Sequence, residues 1–229
     1  MKKFTGEYFL PGKTEQRIEK DHLARYDFAL NFIEQKSVLD LACGEGYASN
    51  ILMQKAKKYV GVDLNENLIE HAKHKYIRDN VTFVTGNAET YSGKELHDVI
   101  ISFETIEHVP NFNDVFKTYY RNLRSGGLLL VSTPNRKVTS PNAIKLTDKP
   151  NNPYHTQEFL LNEIVTIAKK HEFNVQQVYG QRQSMINGFP SVVRRLFNKL
   201  GVRMSSLGSS TVSTIKNEPR YLILVCEKE

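Results

Sequence analysis

Two carboxylates and an imidazole crowd one short stretch of the chain, at Glu104, Glu107 and His108. If that stretch turns helically, residues three and four apart meet on one face. The trio can then do one of two kinds of chemistry. As ligands, its hard oxygens and single nitrogen suit Mg2+ or another divalent cation better than a structural zinc. A bound cation would relieve the repulsion of the two acids, lower the pKa of a coordinated hydroxyl and fix its oxygen in place. Without a cation, the glutamates order the loop and His108 acts as a general base near its ordinary pKa of about 6.5. His155, in the run NPYHTQEF (152–159), either completes a ligand set of Glu104, Glu107, His108 and His155 or serves as a second candidate base. Two histidines in such a set shift the preference toward manganese, iron or cobalt. A purely structural cluster is the third reading.

A second constellation lies upstream. Gly44 and Gly46 follow an apolar stretch and precede a helical pattern. Glycines at such a turn admit a ligand to the backbone, and the helix start offers unpaired N–H groups. The dinucleotide fingerprint needs a third glycine where this chain has Ser49. Asp63 ends the next apolar stretch, twenty-three residues after Asp40, and a carboxylate there can hold a ribose diol. The pair of glycines alone is also compatible with an ordinary strand–helix turn.

The elements that must position these groups alternate. Short apolar, β-branched runs at Val38–Ala42, Lys58–Val62, Val81–Val84, Asp98–Ser102 and Leu128–Ser132 read as strands. Helical patterns cover Asp21–Glu34, the stretch from the glycines to Lys55, Asn65–Tyr76, Asn111–Leu123 and Thr156–His171. This order predicts an α/β, doubly wound, mainly parallel sheet covered on both faces, with ligands at the carboxyl ends of the strands. Gly126-Gly127 reads as a turn. The stretch Asn135–Pro153 carries Pro141, Pro150 and Pro153 and reads as a long loop, a candidate lid. Strands near Val175–Tyr179 and Tyr221–Cys226 flank an insert at 181–219, a candidate substrate lid with a helix over Ser191–Leu200 behind Pro190. Arg194, Arg195, Lys199 and Arg203 would give that helix a basic side, open to three readings: a solvated face, a phosphate-recognising lid or a membrane contact.

Taken in order, VLDLACGEGYAS (38–49), YVGVDLNENLIEHAK (59–73), VTFVTGNAET (81–90), DVIISFETIEHV (98–109) and LRSGGLLLVSTPN (123–135) resemble the successive motifs of class I, Rossmann-like S-adenosylmethionine-dependent methyltransferases. The resemblance implies a seven-stranded sheet whose last strand is antiparallel, with a helical insert before it. It implies a cofactor core over residues 36–135, a lid segment over 1–34 and one methyltransferase domain over 1–229. Ala42 and Gly44 would meet the methionine part of the cofactor, Asp63 the ribose, and Leu64 and Ala88 the adenine. Asn87 and Glu89 would reach the adenine edge, Phe103 would lie beside the cofactor, and Arg25 could pair with its carboxylate. Asp40 would order the glycine loop, and Cys43 would be a small buried residue. The opening run FTGEYFLPG with HLARYDFA resembles bacterial sugar-modifying methyltransferases, so a sugar or sugar-nucleotide hydroxyl is the favoured acceptor. The ExxEH stretch resembles both small-RNA 2′-O-methyltransferases, which hold magnesium with two glutamates and two histidines, and ubiquinone-pathway O-methyltransferases. A non-catalytic cofactor-binding module is the rival class. In an enzyme, the protein's main task is to hold the acceptor oxygen in line with the transferred methyl, while a base takes its proton.

Composition bounds the rest. With 229 residues, 40% hydrophobic and 24% charged, the chain can build a full core. A net charge of +6 and a pI near 9.1 favour anionic partners, such as a phosphorylated or nucleotide-linked acceptor, without identifying one. Nucleic acid is an unfavoured partner, since no RNA-binding appendage is evident. Cys43 and Cys226 lie far apart in apolar stretches and suggest no zinc or disulfide pattern. Neither a signal peptide nor a membrane span is read, so a cytoplasmic protein is expected.

Overall fold

The computed structural model describes residues 15–184 and 208–229, together with Phe189, Val192, Val193 and Leu196. Its strands are β1 (Ser37–Leu41), β2 (Lys58–Asp63), β3 (Val81–Thr85), β4 (His97–Phe103), β5 (Leu123–Pro134), β6 (Phe173–Gln181), β7 (Ser213–Thr214) and β8 (Tyr221–Lys228). They form one sheet in the order β3-β2-β1-β4-β5-β8-β6-β7. The first five pair in parallel, and β8 runs antiparallel to both β5 and β6. The helices are α1 (Gln16–Ala29), α2 (Ala48–Leu52), α3 (Glu66–Lys75), α4 (Phe112–Asn122), α5 (Arg136–Thr139) and α6 (Leu161–Lys170).

The pleat explains why the central strands read as continuous apolar runs. Val38, Tyr59, Val99, Ile101 and Leu130 pack on one face, against Tyr26 and Ala29 of α1, Leu52 of α2 and Ile69 of α3. Their neighbours Leu39, Leu41, Ile100, Leu129 and Val131 pack on the other, against Val115 and Phe116 of α4 and Ile164 of α6. Both faces are therefore buried, as parallel strands require. Because β1, β2 and β4 run parallel, the loops after them lie at the same sheet edge, where ligands of such folds bind.

The expected doubly wound sheet with an antiparallel last strand is present, but it has eight strands instead of seven. The extra strand, β7, lies within the insert and adds only two residues to β6, Ser213 opposite Gly180 and Thr214 opposite Tyr179. The Gly126-Gly127 turn is absorbed into β5, where the register against β4 shifts between His97 and Val99. Helix α1 starts and ends five residues before the expected range. Helix α6 is shorter than expected, because Thr156 and Gln157 are spent on the carbonyls of Glu107 and Val109. Glu163 then accepts the Leu160 N–H at the helix start. The long loop after β5 contains α5 and is pinned by buried Arg136, which donates to Glu158 O (2.9 Å), Ile144 O (3.1 Å) and Glu163 Oε1 (2.6 Å). Residues 1–14 and most of the expected helix Ser191–Leu200, including Arg194, Arg195 and Lys199, lie outside the described residues, as does Arg203.

Candidate active site

After β1 the backbone enters the left-handed region at Ala42 (φ 70°), Gly44 (φ 59°) and Gly46 (φ 79°). Ala42 and Cys43 donate their N–H groups to Val62 O at 2.7 and 2.9 Å, which locks the loop onto β2. The two glycines differ in what surrounds them. A Cβ on Gly46 would sit 2.5 Å from the Phe83 ring, whereas one on Gly44 would meet nothing within 4 Å. Gly46 is therefore needed for packing, and Gly44 borders open space.

Asp63 closes the loop from β2. One carboxylate oxygen accepts the Gly44 N–H at 2.8 Å and the other the Asn65 N–H at 2.9 Å. Asn65 in turn caps α3, its Oδ1 accepting from Asn67 and Leu68. Beneath the loop, fully buried Asp40 accepts from the Tyr59 hydroxyl at 2.8 Å and the Tyr26 hydroxyl at 3.2 Å. Burial pushes its carboxyl up to about 7, even though both tyrosine hydrogen bonds pull it down. Asp40 thus joins α1, β1 and β2, and it lies outside the cavity wall, as its expected ordering role requires.

A cavity of about 410 Å³ opens over this loop. Its wall includes Ala42, Gly44, Asp63, Leu64, Asn87, Ala88, Glu89 and Phe103, eight of the nine residues expected to serve a cofactor. Leu64 is 69% exposed, an apolar surface without a cover. Asn87 Oδ1 accepts the Glu89 N–H at 2.8 Å and shapes the turn after β3. Glu89 is committed elsewhere: its carboxylate takes the Asn111 N–H at 2.8 Å, tying the turn to the start of α4. The ninth residue, Arg25, is missing from the wall. It is buried, donates to Gln181 Oε1 at 2.6 Å and lies 5.3 Å from the Tyr221 ring centre, while its Nε has no hydrogen bond. Burial opposes its charge, but Glu104, Tyr221 and Asp21 more than offset that and raise its pKa.

The remaining wall is formed by the loop after β4 (Glu104, Thr105, His108, Val109, Pro110), by Cys43 and Gly86, and by His22, Tyr26 and Tyr47. Glu104 has φ 53°, donates its N–H to Ser132 Oγ at 3.1 Å and accepts that hydroxyl at 2.7 Å. Glu107 is fully buried; Oε2 accepts from Thr133 at 3.2 Å, and Oε1 has no hydrogen bond. Burial, reinforced by Glu104, pushes its carboxyl well above the ordinary range. His108 Nδ1 faces Tyr154 O at 3.2 Å, and its Nε2 is 4.0 Å from Glu107 Oε1. The His108 and His155 rings meet edge-on with centres 4.8 Å apart.

The structure brings together three of the four expected ligands. One donor atom from each of Glu107, His108 and His155 falls within 4.8 Å of the others, while Glu104 stands outside this group. His155 does not line the cavity, and both its ring nitrogens have partners: Glu158 Oε1 at 2.7 Å and Asn152 Nδ2 at 2.9 Å. Glu158, buried and also bonded by Thr139, was missed in the sequence; its only signal is its i+3 spacing from His155. Tyr47 was missed as well, for it reads as a plain apolar residue after the glycines.

A family model described as a methyltransferase domain matches residues 14–178. A Mycolicibacterium smegmatis protein named "probable S-adenosylmethionine-dependent methyltransferase" is 32% identical over 178 residues, covering 77% of this chain and 67% of that protein. The mitochondrial ubiquinone biosynthesis O-methyltransferase of Candida albicans is 31% identical over 138 residues, 57% of this chain and 42% of that protein. The chain therefore spans under half of the fungal relative. Among solved structures, the S-adenosylmethionine-dependent methyltransferase of Mesorhizobium loti aligns with a TM-score of 0.62 over 91% of this chain and 98% of that one, at 14% identity. That likeness establishes the fold alone.

Proposed function

Because the chain belongs to the methyltransferase domain family, we propose that it uses S-adenosylmethionine to methylate a hydroxyl oxygen of a small polar acceptor, with a sugar or sugar nucleotide favoured. The observation that carries this reading is the Asp63 carboxylate, oriented by two backbone N–H groups in the wall of a cavity shared by bare Gly44 and exposed Leu64. Those three features fit a ribose diol, a backbone-hugging chain and an aromatic ring. S-adenosylmethionine supplies the methyl group, already activated on a sulfonium. Asp63 binds both ribose hydroxyls, Leu64 packs on the adenine, and the Ala88 N–H serves its edge. Ala42 and Gly44 admit the methionine part, and Asn87 shapes the adenine turn. Glu89 acts through α4, and Arg25 contributes positive charge from behind the wall. Phe103 packs beside the sulfur.

His108 is the candidate base. A carbonyl partner at Nδ1 requires a proton there, so in the neutral ring Nε2 carries the lone pair. The protein's other task is to hold the acceptor and exclude water. The sugar preference draws on the net charge of +6 and on the N-terminal resemblance; the fungal relative's printed name, a ubiquinone biosynthesis O-methyltransferase, supports a quinone precursor as the alternative. Release of S-adenosylhomocysteine over a panel of sugar nucleotides, catechols, carboxylic acids, amines and RNA tests the assignment. Selective turnover of an amine or of RNA would overturn it.

A second reading has its own observation. Glu107 Oε1 is buried without a partner, 4.0 Å from His108 Nε2 and grouped with His155. A divalent cation held by Glu107, His108 and His155, taking the place of Asn152 on the His155 ring, would satisfy that oxygen and place the acceptor. Full turnover after exhaustive EDTA treatment would remove it; activity restored by one added ion and lost in Glu107→Gln would support it. Among the described residues no helix is long and apolar enough to cross a membrane, and the unpaired, buried Cys43 and Cys226 suit a reducing, cytoplasmic setting.

A further inference from the structure

We propose that Glu104 binds the acceptor, its Oε2 taking a hydrogen bond directly from an acceptor hydroxyl. This rests on the methyltransferase reading of the cavity.

Strand order singles out the end of β4. The sheet runs β3-β2-β1-β4, so β1 is flanked by β2 and β4, and the chain reverses its direction across the sheet between β1 and β4. Ligands of open α/β sheets enter the crevice at such a reversal. The cofactor groups assigned above follow the same order along the strand ends. Adenine lies at Ala88 after β3, ribose at Asp63 of β2, and the methionine part at Gly44 after β1. The next strand in line, on the side toward which the methyl group points, is β4. Its register sets Asp40 opposite Ile101, and two residues further along lie Ala42 and Phe103, both in the cavity wall. Glu104, the first residue after β4, follows them in that wall. It therefore stands where the cofactor ends and the acceptor begins.

The side chain is aimed, and half of it is uncommitted. Fully buried Ser132 of β5 receives the Glu104 N–H on its carbonyl at 3.2 Å and on its hydroxyl at 3.1 Å, and that hydroxyl donates back to Oε1 at 2.7 Å. This clamp holds a left-handed backbone, φ 53°, which a glycine would adopt without strain. Strain kept at a cavity wall, where only the side chain gains by it, points to a use for that side chain. Oε1 is taken by Ser132, but no hydrogen bond reaches Oε2 among the described residues. Nor is Glu104 drawn into the group of Glu107, His108 and His155, from which it stands apart. Arg25, buried behind the wall, has its positive charge favoured by Glu104, so the carboxylate sits in an attractive field. An ionised carboxylate only accepts hydrogen bonds. What meets Oε2 must donate, and a hydroxyl does. A carboxylate held rigid on one oxygen and open on the other is pre-organised for such a contact.

The test uses the full chain saturated with S-adenosylhomocysteine, with EDTA present throughout. Calorimetry of that complex checks the underlying reading: a wild type that does not bind the compound ends the methyltransferase assignment, and this proposal with it. The acceptor probes are catechol and methyl β-D-glucopyranoside, titrated into the binary complex, and at least one should bind. Glu104→Gln should bind S-adenosylhomocysteine within about two-fold of wild type and that probe about ten-fold more weakly, since a charge-assisted hydrogen bond becomes a neutral one. Ser132→Ala, which frees Oε1 but keeps the carboxylate, should lose less. Glu104→Gly separates binding from support of the backbone. It relieves the left-handed strain, so it should melt within about 4 °C of wild type, yet bind the probe no better than Glu104→Gln. With S-adenosylhomocysteine bound, four results overturn the proposal: neither probe binds the wild type; Glu104→Gln binds the probe as wild type does; both ligands weaken equally in that variant; or the substitution matters only after Mg2+ is added, which would make Glu104 a cation ligand.

Discussion

At the scale of single residues, two carboxylates near the glycine loop behave in opposite ways. Asp63 is tied by N–H groups at both oxygens and faces the cavity, whereas Asp40 is sealed beneath it. Asp63→Ala should therefore weaken S-adenosylmethionine binding about ten- to hundredfold, the cost of hydrogen bonds to a charged group, as read by calorimetry. Unchanged affinity would remove the ribose assignment. Asp40 has a pH signature. Its ordinary value is 3.8 and burial raises it to about 7, so between those values the native state keeps a proton that the unfolded chain has lost. Its contribution to stability is complete below the lower value and disappears as pH rises through the upper one. Asp40→Asn should flatten that part of the profile in denaturant titrations between about pH 4 and pH 7.5; a slope equal to wild type would contradict it. Asp63 was legible in the sequence because its place at a strand end after the glycines has one obvious use. Asp40 was legible only as a loop-ordering acid, since its partners Tyr26 and Tyr59 come from elements that meet only in the fold. His155 was only partly legible for a related reason: spacing shows a histidine near the ExxEH loop but not that Glu158 and Asn152 hold its ring.

At the scale of elements, the glycine loop separates packing from binding. Gly46→Ala places a methyl group 2.5 Å from Phe83 in a positive-φ position and should destabilise the whole protein. Gly44→Ala has space, costs about 1 kcal/mol for the left-handed backbone, and should leave a folded protein with impaired S-adenosylmethionine binding. Melting curves and calorimetry on both variants distinguish the two roles, and equal effects of both substitutions on melting would refute the distinction. Helix α1 makes a second case. The buried Asp21–Arg182 pair joins residues 161 positions apart. Arg182→Met leaves buried Asp21 with only the longer, 4.0 Å contact to Arg17, and removing the close partner of such a buried pair costs up to about 3–5 kcal/mol. For a chain of this size that lowers the melting temperature by roughly 6–20 °C; a drop under about 2 °C would show that the clasp contributes little. The strands were readable from their apolar runs because both faces are buried. The start of α6 was not, because the Thr156 side-chain bond to the Glu107 carbonyl, invisible in periodicity, holds the chain before it.

At the scale of the whole molecule, alternation of strand and helix is enough to imply a parallel core, since a parallel neighbour requires a crossover and a crossover requires a helix. The order of the far half is different. There β8 inserts between β5 and β6, a swap that no local pattern encodes; the resemblance implied only that the last strand runs antiparallel, and the two-residue β7 had no signal at all. This continuous sheet makes a further prediction. The cavity draws on loops from β1, β2, β3 and β4 together with α1, and α1 is bolted to Gln181 and Arg182 at the end of β6, which in turn hold the 208–210 return. A ligand held there contacts, directly or through one bond, both halves of the sheet. Unfolding should then be a single transition, and S-adenosylhomocysteine should raise its midpoint without splitting it. At one hundred times the dissociation constant the linkage is worth about 2.7 kcal/mol, or roughly 5–11 °C for a domain of this length. At the same ligand concentration the shift should fall in Asp63→Ala to that of about 0.4–1.4 kcal/mol, because a ten- to hundredfold weaker site is only partly filled. Two separate transitions, of which only the earlier responds to ligand, would mean that the cofactor half folds apart from β6 and β8, and that the clasp between α1 and β6 does not couple them.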